Sequence, residues 1–334
     1  MNILYTTNEL FASKVAASMC SVMENNKNVD EVVFYIVGQG LSEASMSNYK
    51  MLGRKYCRSI EIINVNNIME YLKFDFDTSG WNPISMARLA VDQLLPESVE
   101  RVLYLDGDTI NIASLEELWN TDMHGKALGA CIEATVDKKR KKSLGMGKIP
   151  YINSGVLLID LKLWREEETG STILNYYKDN NGMLVANDQN AINGALKEQI
   201  FYLEPRYNFY NIYWYYPYKV LKKLMGHTKY YSEQVVEDSK KSPAIIHYLG
   251  EERPWRKGNR HKYRAEYFRY LKKTPWKNEE MESGWELYFL CWDIFNFVIR
   301  PFPMLRYKII NGLIPVFMEW RTRNIKKEKA KMKG

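Results

Sequence analysis

Over residues 1–270 short apolar runs alternate with longer amphipathic ones, and that alternation restricts the chain to few architectures. Residues 3–5, 31–37, 60–65 and 101–105 read as strands, the second ended by Gly38. Residues 11–23, 42–56 and 85–95 carry helical patterning, and further apolar runs follow at 127–132 and 155–159. Strands buried on both faces and separated by helices predict an α/β fold, a mostly parallel sheet flanked by helices. Ligands in such sheets collect beyond the carboxyl ends of the strands, so polar residues directly after a strand are where chemistry is sought. With 334 residues there is room for one large domain of this kind and a small appendage.

The clearest instance is Tyr104-Leu105-Asp106-Gly107-Asp108, a strand pattern ending in two acids two positions apart. On an extended backbone such positions face the same way, so both carboxylates can address one ligand. Gly107 between them leaves the backbone open to a bulky anion. Carboxylates this close repel unless a cation neutralises them, and hard oxygen donors suit Mg²⁺ or Mn²⁺, which commonly bridge to a diphosphate. The same residues also read as a plain turn, since Asp-Gly is a turn dipeptide. Far downstream Ala244-Ile245-Ile246 delivers His247, with Gly250 and then Arg253-Pro254-Trp255 after it. That order suits a metal ligand beside a phosphate clamp, and an imidazole shifts the preference toward Mn²⁺. Alternatively His247 is a satisfied core residue.

Other polar positions keep two readings each. Asn187-Asp188-Gln189-Asn190 opens a helical stretch, as site residues or as its N-cap. Asn153-Ser154-Gly155 reads as a polar turn before a strand unless it serves a site, and Arg88 as a helix-surface residue on the same terms. The basic run 137–142 lies in an expected loop, solvated or facing an anionic acceptor. The aromatic run 207–216 either stacks on sugar rings or forms core and rim.

The formal net charge of +7 is concentrated at one end: residues 321–334 hold seven basic residues and one acid. A nucleic-acid binder spreads a basic face over its folded body, so nucleic acid is not an expected partner. Residues 285–320 are dense in Trp, Phe, Leu and Ile and are cut by Pro301, Pro303 and Pro315. Aromatic pieces followed by a lysine-rich end describe a segment lying in an anionic membrane interface rather than crossing it. The other reading is a C-terminal helix packed on its own domain, with a frayed basic tail. The expected division is 1–275 as the main domain and 276–334 as an aromatic, basic helical appendage. No charge-free apolar run of spanning length and no signal-peptide pattern is visible. Cys20, Cys57, Cys131 and Cys291 are far apart with no C-x-x-C pair, which fits a reducing compartment. The expected location is cytoplasmic, peripheral on the inner face of the membrane.

Together these pieces resemble the family 8 glycosyltransferases, a group that includes bacterial lipopolysaccharide galactosyl- and glucosyltransferases and, more distantly, glycogenin. The resemblance runs from Asn2 to about Trp255 and rests on six motifs in the family's order. They are residues 3–8 (ILYTTN), 86–89 (MARL), 102–108 (VLYLDGD), 151–160 (YINSGVLLID), 187–190 (NDQN) and 247–255 (HYLGEERPW). It implies a GT-A (Rossmann-like) fold and a retaining transfer of glucose or galactose from UDP-glucose or UDP-galactose. The implied acceptor is a glycan or a lipid-linked glycan in bacterial-type surface glycan synthesis, lipopolysaccharide or capsule. By the same resemblance Asp106, Asp108 and His247 are ligands of Mn²⁺, with Mg²⁺ as the alternative, and Gly107 lies within the donor site. Thr6 and Asn8 match positions holding the uridine, and Gly250 and Arg253 match the diphosphate-binding turn. Arg88, Asn153, Ser154, Asp188 and Gln189 match positions around the donor sugar, with Asp188 and Gln189 at the reacting face. The family pattern has an aspartate where Asn8 stands and a lysine where Arg253 stands. The rival readings are a hydrolytic protein using the same aspartates and an inactive nucleotide-sugar-binding protein at the membrane.

Overall fold

Strand β1 (Asn2–Asn8) sends Ile3 and Tyr5 to one side and Leu4 to the other, and all three are buried. A strand with two apolar faces belongs in the middle of a sheet covered twice. The computed structural model describes residues 1–72, 82–184, 186–314 and 316; the basic run 321–334 lies outside these residues. Beside β1 lie β2 (Val33–Gln39) and β4 (Arg101–Leu105), with β3 (Ser59–Val65) beyond β2, all parallel. A small ribbon strand, β5 (Thr109–Asn111), follows, then β6 (Leu128–Ile132), β7 (Ile152–Asp160) and β8 (Ile200–Leu203). The seven-stranded order is β3-β2-β1-β4-β7-β6-β8, with only β7 running against the rest. The expected mostly parallel α/β sheet is therefore what forms.

Each face has its own core. Helices Ala12–Asn25 and Glu43–Tyr56 pack with Ile3, Tyr5, Phe34 and Leu103. On the other face, the 3₁₀ segment Pro83–Leu89 and helices Thr169–Asp179 and Asn187–Leu196 pack with Leu4, Val37, Tyr104 and Leu157. Burying one such side chain is worth about 1.5–3 kcal/mol, so the alternation along each strand fixes which way it faces.

Several local expectations are corrected. Residues 85–95 form the 3₁₀ segment and a short helix, Val91–Leu94, rather than one helix. The second strand begins at Val33 and continues through Gly38 to Gln39. Asn153, Ser154 and Gly155 lie inside β7, not in a turn before it, and the basic run forms a helix, Lys138–Ser143, capped by the Asp137 carboxylate. Tyr207, Phe209, Tyr210, Tyr213 and Tyr216 are buried, so this much of the aromatic run is core.

After helix Arg264–Leu271 the chain runs back over the domain, where Glu279 pairs with Lys14 at 2.7 Å. Helix Glu286–Ile299 then buries Phe289 and Ile299, while Leu287, Leu290, Ile294, Phe297 and Val298 are exposed. Residues 303–314 are helical and carry a buried Arg306. Among the described residues no helix is long and apolar enough to cross a membrane.

Candidate active site

The last strand, β9 (Ile245–His247), forms a two-stranded antiparallel ribbon with β5, and its register sets Thr109 opposite His247. β5 begins directly after the acid pair. The ribbon thus returns a histidine from 139 positions downstream to the aspartates that precede its partner strand. Asp106, Gly107 and Asp108 are not extended: the Thr109 amide donates to the Asp106 carbonyl at 3.1 Å, closing a turn. The turn reading holds, and the turn itself brings both carboxylates to one side, where they could address one ligand. Gly107 has a packing reason: a Cβ there would meet Val15 Cγ2 at 2.6 Å and Phe11 Cδ1 at 3.0 Å.

One ligand atom each from Asp106, Asp108 and His247 lies within 4.8 Å of the other two. His247 is 1% exposed; its Nε2 is 3.3 Å from Asp108 Oδ1 and 3.8 Å from Asp106 Oδ2. Its Nδ1 contacts Asn208 Oδ1 at 2.8 Å. The Asn208 amide nitrogen in turn donates to Asn153 Oδ1 at 2.8 Å, so the oxygen is the atom facing the ring. Nδ1 therefore carries the proton, and the Nε2 lone pair is aimed at the carboxylates without a hydrogen-bond partner. Lone pairs of imidazole and carboxylate facing one another are relieved by a proton on Nε2 or by a cation. Gly155 makes room: a Cβ there would lie 2.8 Å from His247 Nδ1 and 2.9 Å from Asp106 Oδ2, besides colliding with the ring carbon. An orphaned buried nitrogen, two carboxylates and a cradle without side chain together fit a divalent metal ion of the Mn²⁺ or Mg²⁺ kind.

Arg88 is buried, not on a helix surface. It contacts Asp106 Oδ1 at 2.9 Å and Asp188 Oδ2 at 3.2 Å, and donates to the Ser154 carbonyl at 2.8 Å. Its guanidinium lies 4.4 Å from the centre of the Tyr104 ring, whose hydroxyl donates to Asp106 Oδ1 at 2.6 Å. Burial raises the Asp188 carboxyl above its usual value, with Arg88 opposing. Neither Asn187 nor Asp188 caps the helix they open; its cap position is Ala186, with no side-chain bond. Asp188 Oδ2 instead accepts from the Ser154 hydroxyl at 3.1 Å. Gln189 Oε1 accepts from the Ser154 amide, and its Nε2 donates to Glu133 Oε2 and the Tyr151 hydroxyl, each at 3.1 Å.

The remaining expected residues lie around this centre. Thr6 bonds the Tyr104 hydroxyl at 3.1 Å, within one link of Asp106. Arg253 Nη2 is 3.5 Å from Asp108 Oδ2, and its Nε donates to the carbonyl of Gly250, which sits at φ +74° in the turn after β9. Asn8 is spent differently: its Oδ1 accepts from the Phe11 amide and caps the 3₁₀ turn Glu9–Phe11. Asn208, Glu133 and Tyr151 are site residues that the sequence reading passed over. Tyr151 stood in a quoted motif and Asn208 in the aromatic run, but only contact singles them out.

Comparison with known proteins gives the chain relatives and a fold type. The chain is 26% identical over 280 residues to General stress protein A of Bacillus subtilis (strain 168), covering 83% of this chain and 94% of that one. It is 24% identical over 284 residues to a lipopolysaccharide 1,2-glucosyltransferase of Escherichia coli (strain K12), covering 84% and 80%. In three dimensions it resembles the galactosyltransferase LgtC, solved with donor and acceptor sugar analogues. The TM-score is 0.69 at 24% identity, over 82% of this chain and 96% of that one, which shows the GT-A type of fold. The family model described as glycosyl transferase family 8 matches residues 2–258, and the chain belongs to that family.

Proposed function

We propose that this protein moves a hexose, glucose or galactose, from a UDP-sugar to a hydroxyl of a saccharide or lipid-linked saccharide, retaining the anomeric configuration, in bacterial-type surface glycan synthesis. The observation that carries the reading is the unpartnered Nε2 of buried His247, directed at the paired carboxylates of Asp106 and Asp108. These three residues would hold Mn²⁺, or Mg²⁺ in its place, and the bound ion would supply Lewis-acid neutralisation of a diphosphate.

The chain's own residues do the rest. Arg253, on the turn at Gly250, offers a guanidinium beside Asp108 for charge developing on departing UDP. Thr6 faces the uridine side, and Asn8 contributes its backbone and amide nitrogen there, its oxygen being used in capping. Arg88 holds Asp188 and the Ser154 carbonyl in place, so that Asp188, Asn153 and Ser154 can orient sugar hydroxyls. Gln189 has its amide committed on both sides and is a poor nucleophile. This favours attack by the acceptor hydroxyl on the face that UDP leaves. The bond from the anomeric carbon to the terminal phosphate oxygen breaks with its electrons going to UDP, the acceptor oxygen bonds to that carbon, and its proton passes to a UDP phosphate oxygen.

The appendage would rest on an anionic membrane at the cytoplasmic face, and the row of exposed Leu287, Leu290, Ile294 and Phe297 supports this. A screen of UDP-hexoses with released UDP as the signal tests the transfer. Asp106→Ala and Asp108→Ala should each lower turnover by about 10³-fold or more, and near-normal rates would refute the metal assignment. An inverted product anomer, read by NMR, would refute retention.

A further inference from the structure

Beside the site lies a cavity of about 670 Å³, a volume usual for small-molecule sites. Glu133, Tyr210 and Gly250 form the wall nearest the reacting groups. Glu133 belongs to that site by its bonds to Gln189 and Asn153, and Gly250 by its turn. The opposite wall comes from the C-terminal helices and is apolar: Trp292, Phe295, Ile310 and Leu313. Leu313 and Ile314 line the cavity and are also exposed, so it reaches the surface there, on the helical segment after the one that carries the outward apolar row.

Arg306 lines this cavity and is 6% exposed. Its Nε donates to Asn296 Oδ1 at 3.1 Å and its Nη1 to the Tyr216 hydroxyl at 2.8 Å. The guanidinium lies 3.7 Å from the Tyr215 ring centre and 5.5 Å from that of Trp292. Among the described residues no carboxylate forms an ion pair with it. Of the charged residues on the walls, Glu251 pairs with Arg256, Asp137 caps a helix beside Arg140 and Glu133 bonds Gln189 and Asn153. Glu252 is held by the neutral Asn211 and by Tyr215, across whose ring Arg306 lies. A buried cation held only by neutral groups and rings is costly unless an anion meets it.

We propose that this cavity is the acceptor site and that its occupant is a saccharide joined through a phosphate-type anionic link to an apolar chain. This rests on the transferase reading of the adjoining centre. The sugar lies against Glu133 and the Gly250 turn, the anionic link meets Arg306, and the chain runs along Phe295, Ile310 and Leu313 toward the surface. A free polar saccharide would leave the apolar wall unused and the Arg306 charge unmet.

Cys291 lines the cavity and is exposed, while Cys57 is exposed elsewhere, which provides a probe and an internal reference in the unaltered full chain. Alkylation by iodoacetamide is followed at each cysteine by mass spectrometry, with decyl phosphate, decanol or inorganic phosphate added below any micelle-forming concentration. Decyl phosphate at ten times its Kd should slow Cys291 by about tenfold and leave Cys57 unchanged, with decanol and inorganic phosphate far less effective. Arg306→Gln should erase the difference between decyl phosphate and decanol. Equal protection by decanol in the unaltered protein overturns the anionic link, and no protection by decyl phosphate overturns the cavity assignment. The unaltered protein decides both even if the variant fails to fold. UDP release from UDP-hexoses is measured in parallel, with a lipid-linked saccharide extract as acceptor and without it. Donor turnover without protection defeats the cavity assignment alone, whereas protection without donor turnover defeats the transferase reading and leaves a lipid-phosphate site.

Discussion

Asn208 and Gly155 act on His247 from two sides, one by bonding the ring and the other by staying out of its way. Asn208 fixes which nitrogen is protonated and so presents Nε2 to the acid pair. Removing such an outer partner costs a metal site about 10–100-fold in affinity. Asn208→Ala should therefore weaken Mn²⁺ binding by about that factor in a calorimetric titration, with the fold retained by circular dichroism. Unchanged affinity would mean that the asparagine serves the core alone. Gly155→Ala forces a methyl into the space of the imidazole and the Asp106 carboxylate, so one of them must move. A displacement of this size costs about 10²-fold in turnover, and overpacking costs about 1–3 kcal/mol of stability. A steady-state assay beside a thermal melt separates the two effects. At this scale the sequence pointed to the cluster of Asp106, Asp108 and His247, because acids and imidazoles are recognisable by chemistry. It did not show Asn208 or Glu133, whose roles come from what they touch.

The elements show a similar division. Apolar runs were enough to find β1, β2 and β4, which bury both faces, and also β3, an edge strand that is only part-buried. The reversal of β7 was not visible, because strand direction leaves no mark on a buried apolar run. Nor was the β5–β9 ribbon legible as pairing, although His247 stands at the end of its run. Helix Ala12–Asn25 is tied to its neighbours through Glu24, which accepts from the Tyr56 hydroxyl at 2.6 Å and pairs with Lys273 at 2.8 Å. Burial pushes this carboxyl up, but Lys273 and Tyr56 outweigh it and bring it down to about 2. A depressed carboxyl contributes stability that is complete above its unfolded pKa, near 4.5, and is lost as pH falls toward about 2. Glu24→Gln should lower stability by about 1 kcal/mol at pH 7 and flatten the acid limb between those values in urea melts. An unaltered acid limb would show that the pair contributes nothing.

For the whole molecule, the charge asymmetry and the apolar appendage bear on where the enzyme works. Helix Glu286–Ile299 seats Phe289 and Ile299 inward and presents Leu290 and Phe297 outward, with Phe297 79% exposed. The segment packs on its own domain and still offers an apolar face, on which the proposed membrane contact rests. The double variant Leu290→Glu, Phe297→Glu should reduce co-sedimentation with phosphatidylserine-containing vesicles by about tenfold while leaving the melting temperature unchanged. Equal sedimentation would rule this face out as the anchor. From the residues in order came the sheet class, the candidate metal ligands, the family and the uneven charge, because periodicity, donor chemistry and motif order are properties of a string. Tertiary structure alone decided that Arg88 is buried between two acids, that Asn8 is a cap, and that Arg306 lines a cavity between two parts of the chain. Those are outcomes of distance between residues remote in sequence, and distance exists only once the backbone has closed.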